Sequence, residues 1–232
     1  SIDADLSSSS GQQQAKKEIA KVMKDCWGDV YGEGKDNLFD EETIYCAPCA
    51  IIRFKDKDEQ VGHFTTYLAE TTVPGKTTSY LDYFSGHETS YFKQLINDPG
   101  MYNKNDAKLA EELDSSRTYG VVFTYVKGLR EIEEWATAMN TQPVVISAGV
   151  GAAGGGILAA GGVLLLASNP GGLFVAGVGA VGALIGGGVQ AVSEYFRDTP
   201  DAHFSAISLV EWKHGILQDL KCKQLPVGVA EN

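Results

Sequence analysis

The sequence predicts an α+β fold in which one disulfide-stapled domain is interrupted near its middle by a glycine-rich hydrophobic helical hairpin. Three observations carry this. A chain with 30 acidic and 19 basic residues places none of them between Trp135 and Ser193. Two strand-like stretches, Arg117 to Gly128 and Ala202 to Trp212, bracket that interval. Four cysteines, Cys26, Cys46, Cys49 and Cys222, fall outside it towards the chain's two ends.

The elements follow in order. SIDADLSSSSGQQQ has no charged leader and no apolar run, so it does not read as a signal peptide. Residues 1–11 read as a polar arm that gains order only by docking on something. Ile19, Val22, Met23, Cys26, Trp27, Val30 and Tyr31 recur at steps of three and four, which predicts an amphipathic helix over 12–31 with one buried stripe. After a polar loop that ends in Cys46 and Cys49, IIRFK reads as a short strand. Val61, Phe64 and Leu68 share a helical face that Pro74-Gly75 closes, and TSYLDYFSG and DAKLAEELDSS read as two further short helices. The strand at Arg117 to Gly128 takes Ala202 to Trp212 as its partner, and HGILQDLKCKQLPV closes the same domain. The domain thus spans 12–134 and 195–232, with 135–194 inserted.

SNPGG, Ser168 to Gly172, divides the charge-free interval, and the hairpin turn is expected at Asn169, Pro170 and Gly171. As helices the arms Val145 to Ala167 and Leu173 to Val192 would be about 34 and about 30 Å long, the thickness of a bilayer's hydrocarbon core. Of the chain's 27 glycines, 15 lie between Gly149 and Val192. Each costs roughly 1 kcal/mol against alanine in a solvated helix, but in hydrocarbon unmet backbone bonds cost more, so helix is enforced and glycines become packing surfaces. Gly151 and Gly155, Gly182 and Gly186, and Gly179 with Ala183 have that four-residue spacing. The large side chains of each arm give an insertion drive of only about −3 to −5 kcal/mol, so the arms are expected to lean on each other or on other copies. Trp135 before one arm and Tyr195 and Phe196 after the other are the expected interface anchors. The environment of the segment is a membrane, the chain's own core, or other copies of itself.

This hairpin is similar in composition to the hydrophobic hairpin of colicin-type pore formers, over about 48 residues. It departs from that pattern in lacking the jacket of amphipathic helices that hides the hairpin in solution. DCWGDVYGEGKDNLF, YCAPCAIIRFKDK and YLAETTVPGKTTSYLDYF, covering about Lys24 to Phe84, resemble uncharacterised membrane-anchored or secreted proteins of small-genome archaea. The resemblance implies a location outside the cell and assigns no functional residue.

Chemistry is sparse. Tyr45 to Cys49, YCAPC, resembles the thioredoxin tetrad, whose first cysteine attacks from a helix N-terminus. Here a polar stretch precedes the pair and a strand follows, so structural disulfides are expected, with Cys26 and Cys222 each bonded to one of the other two. A single Cys-x-x-Cys without a second pair predicts no zinc site. The four histidines lie apart, and Asp40-Glu41-Glu42 and Glu131, Glu133 and Glu134 read as solvated faces. No phosphate loop or nucleophile elbow occurs. A net charge of −11 with no long basic run excludes nucleic acid and any polybasic grip on lipid. The expectation is a non-enzyme without cofactor, metal or small-molecule substrate, a homo-oligomer at the cell surface whose hairpin sits in membrane lipid and self-associates, with a pore as one form of that association. The alternatives are a structural subunit of an extracellular filament, tube or ring with the hairpin buried between subunits, and a thiol-redox protein using Cys46 and Cys49.

Overall fold

Ser8 starts the first helix. Its Oγ accepts the Gly11 N–H at 3.1 Å, the bond an N-cap residue makes to an otherwise orphaned donor. The computed structural model describes residues 5–30, 39–84, 113–141, 144–152, 163–167, 173–177, 184–185 and 203–223. Helix α1 (Ser9–Val30) therefore begins three residues ahead of the expected Gln12. The arm before it docks on its own chain: Leu6 is fully buried and its N–H donates to an Asp56 carboxylate oxygen at 3.0 Å.

In chain order there follow β1 (Ile44–Arg53), β2 (Gln60–Val61), α2 (Phe64–Glu70), α3 (Tyr80–Phe84), β3 (Leu113–Asp114) and β4 (Thr118–Lys127). Then come α4 (Leu129–Thr141), β5 (Val144–Ala152), β6 (Val163–Ala167), β7 (Leu173–Gly177), β8 (Leu184–Ile185), β9 (His203–Glu211) and α5 (Ile216–Asp219). The α+β class and the antiparallel pairing of β4 with β9 match expectation. Leu113–Asp114, read as helical, is instead a strand on β2. Asp114 accepts the Ser116 N–H and hydroxyl, and such an Asx turn swings the chain into β4. The cysteine-bearing stretch is strand as well, because β1 begins at Ile44 and pairs with β4 along its length.

The main sheet has the order β1-β4-β9-β5, all antiparallel. Side chains alternate across it. Tyr119, Val121, Phe123 and Tyr125 of β4, with Ile207 and Leu209 of β9, face the layer that holds Ile19, Met23 and Trp27 of α1 and Phe64, Leu68, Leu81 and Phe84. Val122 and Val126, with Ala206 and Val210, face Ile132 and Trp135 of α4 and Ile216, Leu217 and Leu220 around α5. Both faces are covered, so β4 is buried from Tyr119 to Lys127. A Cβ on Gly120 would lie 2.2 Å from Trp212 Cε3, so that glycine makes room for an aromatic ring laid on the strand.

Within the charge-free segment the described residues beyond α4 are extended, and most of the expected helical hairpin lies outside the described residues. β5 extends the main sheet, and β6, β7 and β8 form a second antiparallel sheet. The described strands are poor in glycine: VLLLA and LI contain none, LFVAG contains one and VVISAGVGA two. VLLLA and LFVAG, five residues each, have strand length. The chain reverses between Ala167 and Leu173, where SNPGG lies, and those two residues pair. The turn residues Asn169, Pro170 and Gly171 themselves lie outside the described residues.

Candidate assembly surface at the base of the apolar segment

The apolar segment leaves and re-enters the domain at one point. β5 ends at Ala152, β9 starts at His203, and these two residues are paired across the ladder. Lys127 of β4 stands opposite His203 on its other side, so the exit lies at the end of the sheet where β1 and β9 begin and β4 and β5 finish.

Aromatic rings gather there. Phe39 stacks on Tyr45 with centroids 3.9 Å apart, meets Tyr125 edge-on at 5.4 Å, and Tyr125 stacks on His203 at 5.9 Å. Phe39 is 36% exposed, the one large hydrophobic side chain with an open surface among the described residues. Asp40, Glu41 and Glu42 beside it are exposed, as expected. Burial raises the Tyr45 phenol pKa, and the charges of Glu41 and Asp40 raise it further, so this hydroxyl stays neutral. The composite is an apolar rim edged with negative charge. Sequence reasoning missed it because Phe39 and Tyr45 read as loop residues; the cross-strand pair Tyr45 and Tyr125 exists only once the register of β1 on β4 is known.

Two disulfides hold the sheet's covers in place. Cys26 of α1 bonds Cys49, and Cys222 after α5 bonds Cys46. This is the pairing across the chain that the sequence suggested, with each end tied to one member of the Cys-x-x-Cys pair. Cys26 belongs to the layer under α1, and Cys46 and Cys222 to the layer under α4 and α5, so one disulfide serves each layer. Cys49 is the extra residue where the register slips between Pro48 and Ala50, a bulge that keeps Ala47, Ala50 and Ile52 on the same apolar layer. The thioredoxin arrangement is not reproduced, since both cysteines lie on one strand and neither bonds the other.

Glu131, read as part of a solvated face, is only 1% exposed. It accepts hydrogen bonds from Arg130 at 2.6 Å and from Lys223 at 3.2 Å. Burial alone would raise its pKa, but the bonds from Arg130, its own backbone and Lys223 outweigh that and hold the carboxyl below its usual range. The Lys223 contact pins the chain just past Cys222 onto α4. At Gly128, with φ +99°, a Cβ would meet this carboxylate at 2.6 Å, so the tight turn from β4 to α4 needs glycine.

Of the other predicted site residues, Trp135 is fully buried against the sheet within α4. Gly151 is in β5 opposite Phe204. Gly155, Gly179, Gly182, Gly186, Tyr195 and Phe196 lie outside the described residues. Among the described residues no cluster of His, Cys, Asp and Glu could hold a metal ion, and no helix is long and apolar enough to cross a membrane. Comparison with family models, with curated proteins and with solved structures finds no match.

Proposed function

We propose that this chain is a non-catalytic extracellular subunit that assembles with other copies through its glycine-rich apolar segment. The observation that carries the reading is the extended backbone of a segment with no polar face. Alternate residues of a strand point to opposite sides, yet VLLLA and LFVAG present apolar side chains or glycine at both parities. A solvated antiparallel sheet keeps one polar face, and a water-filled barrel keeps a polar lumen. This ribbon has neither, so it needs dry cover on both sides. Other copies supply that cover without bringing charge to it, which matters for a chain of net charge −11 whose copies repel elsewhere. The two disulfides are consistent with an extracellular, oxidising location.

The uncharged length of the segment favours a second reading, in which lipid covers one side of the ribbon and neighbouring copies the other. One experiment addresses both. Because Ala152 and His203 are paired, residues 153–202 can be replaced by Asn-Gly, a two-residue hairpin turn. The full chain is expected to sediment as an assembly in detergent-free buffer and the shortened chain as a monomer. Flotation of the full chain with vesicles, but no assembly without them, would shift the conclusion to lipid. A full chain that stays monomeric in both settings would remove self-association altogether.

A further inference from the structure

We infer that the β6–β8 ribbon is exchanged between copies, each copy's β5 and α4 serving as the seat for a neighbour's ribbon. This rests on the self-association reading and names the contact that performs it. The ribbon is a self-contained unit: β6 hydrogen-bonds β7, and β7 bonds β8. It lies against β5 and α4, yet the hydrogen-bonded order of the main sheet stops at β5. On the β5 side the contact is between uncharged strands, and among the described residues no ladder joins the ribbon to β5 to fix whose ribbon it is.

The two edges of the main sheet are built differently. On β1, Pro48 removes a donor, Cys49 bulges out of register and is tied to α1, and Arg53 is exposed. These are the features that blunt an edge against strand addition. β5 carries no charge and no proline, and from Ile146 to Ala152 its register on β9 is regular. An edge of that kind accepts another strand. The strand offered must be uncharged, because copies of net charge −11 approach one another most cheaply where both carry none. A neighbour's ribbon makes the same contact in trans that the chain's own ribbon makes in cis, so exchange adds no new unfavourable interface. Reciprocal exchange closes a dimer, and sequential exchange runs on as a filament.

The test uses the full wild-type chain with photo-leucine in place of leucine, which puts a crosslinker at Leu164, Leu165 and Leu166 of β6. Copies carrying ¹⁴N and ¹⁵N are mixed in equal amounts under dissociating conditions, allowed to assemble, irradiated and digested. Exchange predicts that about half of the β5 to β6 crosslinks join peptides of different isotope, the random-mixing value for a contact made between copies. Crosslinks confined to like isotopes, in a sample that sedimentation shows to be assembled, would overturn the exchange while leaving self-association in place through another contact. A sample that never assembles would overturn the functional reading and the exchange together.

Discussion

Strand β4 and the β6–β8 ribbon are both apolar and extended, yet they satisfy their backbones and side chains in different ways. β4 alternates Tyr, Phe and Val between two layers of its own chain, and each layer is tied to the adjacent strand by a disulfide. The ribbon consists of short runs such as VLLLA, separated by glycines, with no polar parity to set which side faces water. Apolar content says that a residue leaves water; side-chain size and alternation say where it goes. The domain is specified from within, whereas the ribbon's sequence does not specify which side is covered.

The sharpest way to break that contrast is to remove the staples from the self-sufficient half. By loop-closure entropy, the Cys46–Cys222 bond closes the longer loop, with a sequence separation of 176 against 23 for Cys26–Cys49. The first is expected to contribute about 5 kcal/mol and the second about 3 kcal/mol. Denaturant unfolding of Cys46→Ala/Cys222→Ala and Cys26→Ala/Cys49→Ala, each made in the chain shortened by Asn-Gly so that assembly does not contribute, measures both. Equal losses would overturn the loop-length ordering, and losses under about 1 kcal/mol would show that packing alone holds the two layers.

Much of this half was legible in the sequence because periodicity and burial coincide there. The stripe Ile19, Met23, Cys26 and Trp27 gave α1, and dense β-branched and aromatic content gave β4 and β9 as partners. The pairing of the outer cysteines with the central pair followed from their positions alone. Two readings failed for local reasons. Pro48 inside a Cys-x-x-Cys suggested a loop, although an edge strand tolerates proline. Glu131 looked solvated, since nothing local signals that Lys223, 92 residues away, folds back over it. The charge-free arms match a bilayer's thickness as helices, and what the sequence did not signal is the pairing of Val144–Ala152 with β9; most of both arms lies outside the described residues. The candidate surface was the least legible part, because Phe39, Tyr45, Tyr125 and His203 meet through register.

A smaller effect tests how tightly the domain's own layers close. Tyr119 is 3% exposed; its hydroxyl donates to the Asp114 carbonyl at 3.1 Å and accepts the Asp114 N–H at 2.8 Å. Burial, the largest cause, pushes its pKa up to about 12. The folded state thus keeps this proton at a pH where the unfolded chain has lost it. A pKa raised on folding contributes stability that is full below the unfolded value, near 10, and is lost as pH rises through the folded value. Stability should fall by about 2 to 3 kcal/mol between roughly pH 10 and 12. Tyr119→Phe should have a flatter stability profile over that range even though it starts lower for want of two hydrogen bonds. Parallel profiles would show that Tyr119 titrates as an exposed phenol.

The smallest change in fold stability is expected where the two halves meet. Phe39 packs on Tyr45 at 3.9 Å but leaves 36% of its surface open, so Phe39→Ser should cost the fold only about 1 kcal/mol, the order of one aromatic pair. Its position beside the exit at Ala152 and His203 gives it a second use. If copies associate at this end of the sheet, as proposed above, Phe39 offers them exposed aromatic surface beside the exposed Asp40, Glu41 and Glu42. Assembly by Phe39→Ser should therefore weaken by about tenfold or more, the equivalent of roughly 1.4 kcal/mol, out of proportion to its small effect on folding. Sedimentation across a concentration series, wild type against variant, reads that difference directly. If stability drops by the expected amount and the sedimentation profile does not move, the aromatic rim belongs to the stapled domain alone and the boundary between the two halves lies beyond Ala152 and His203.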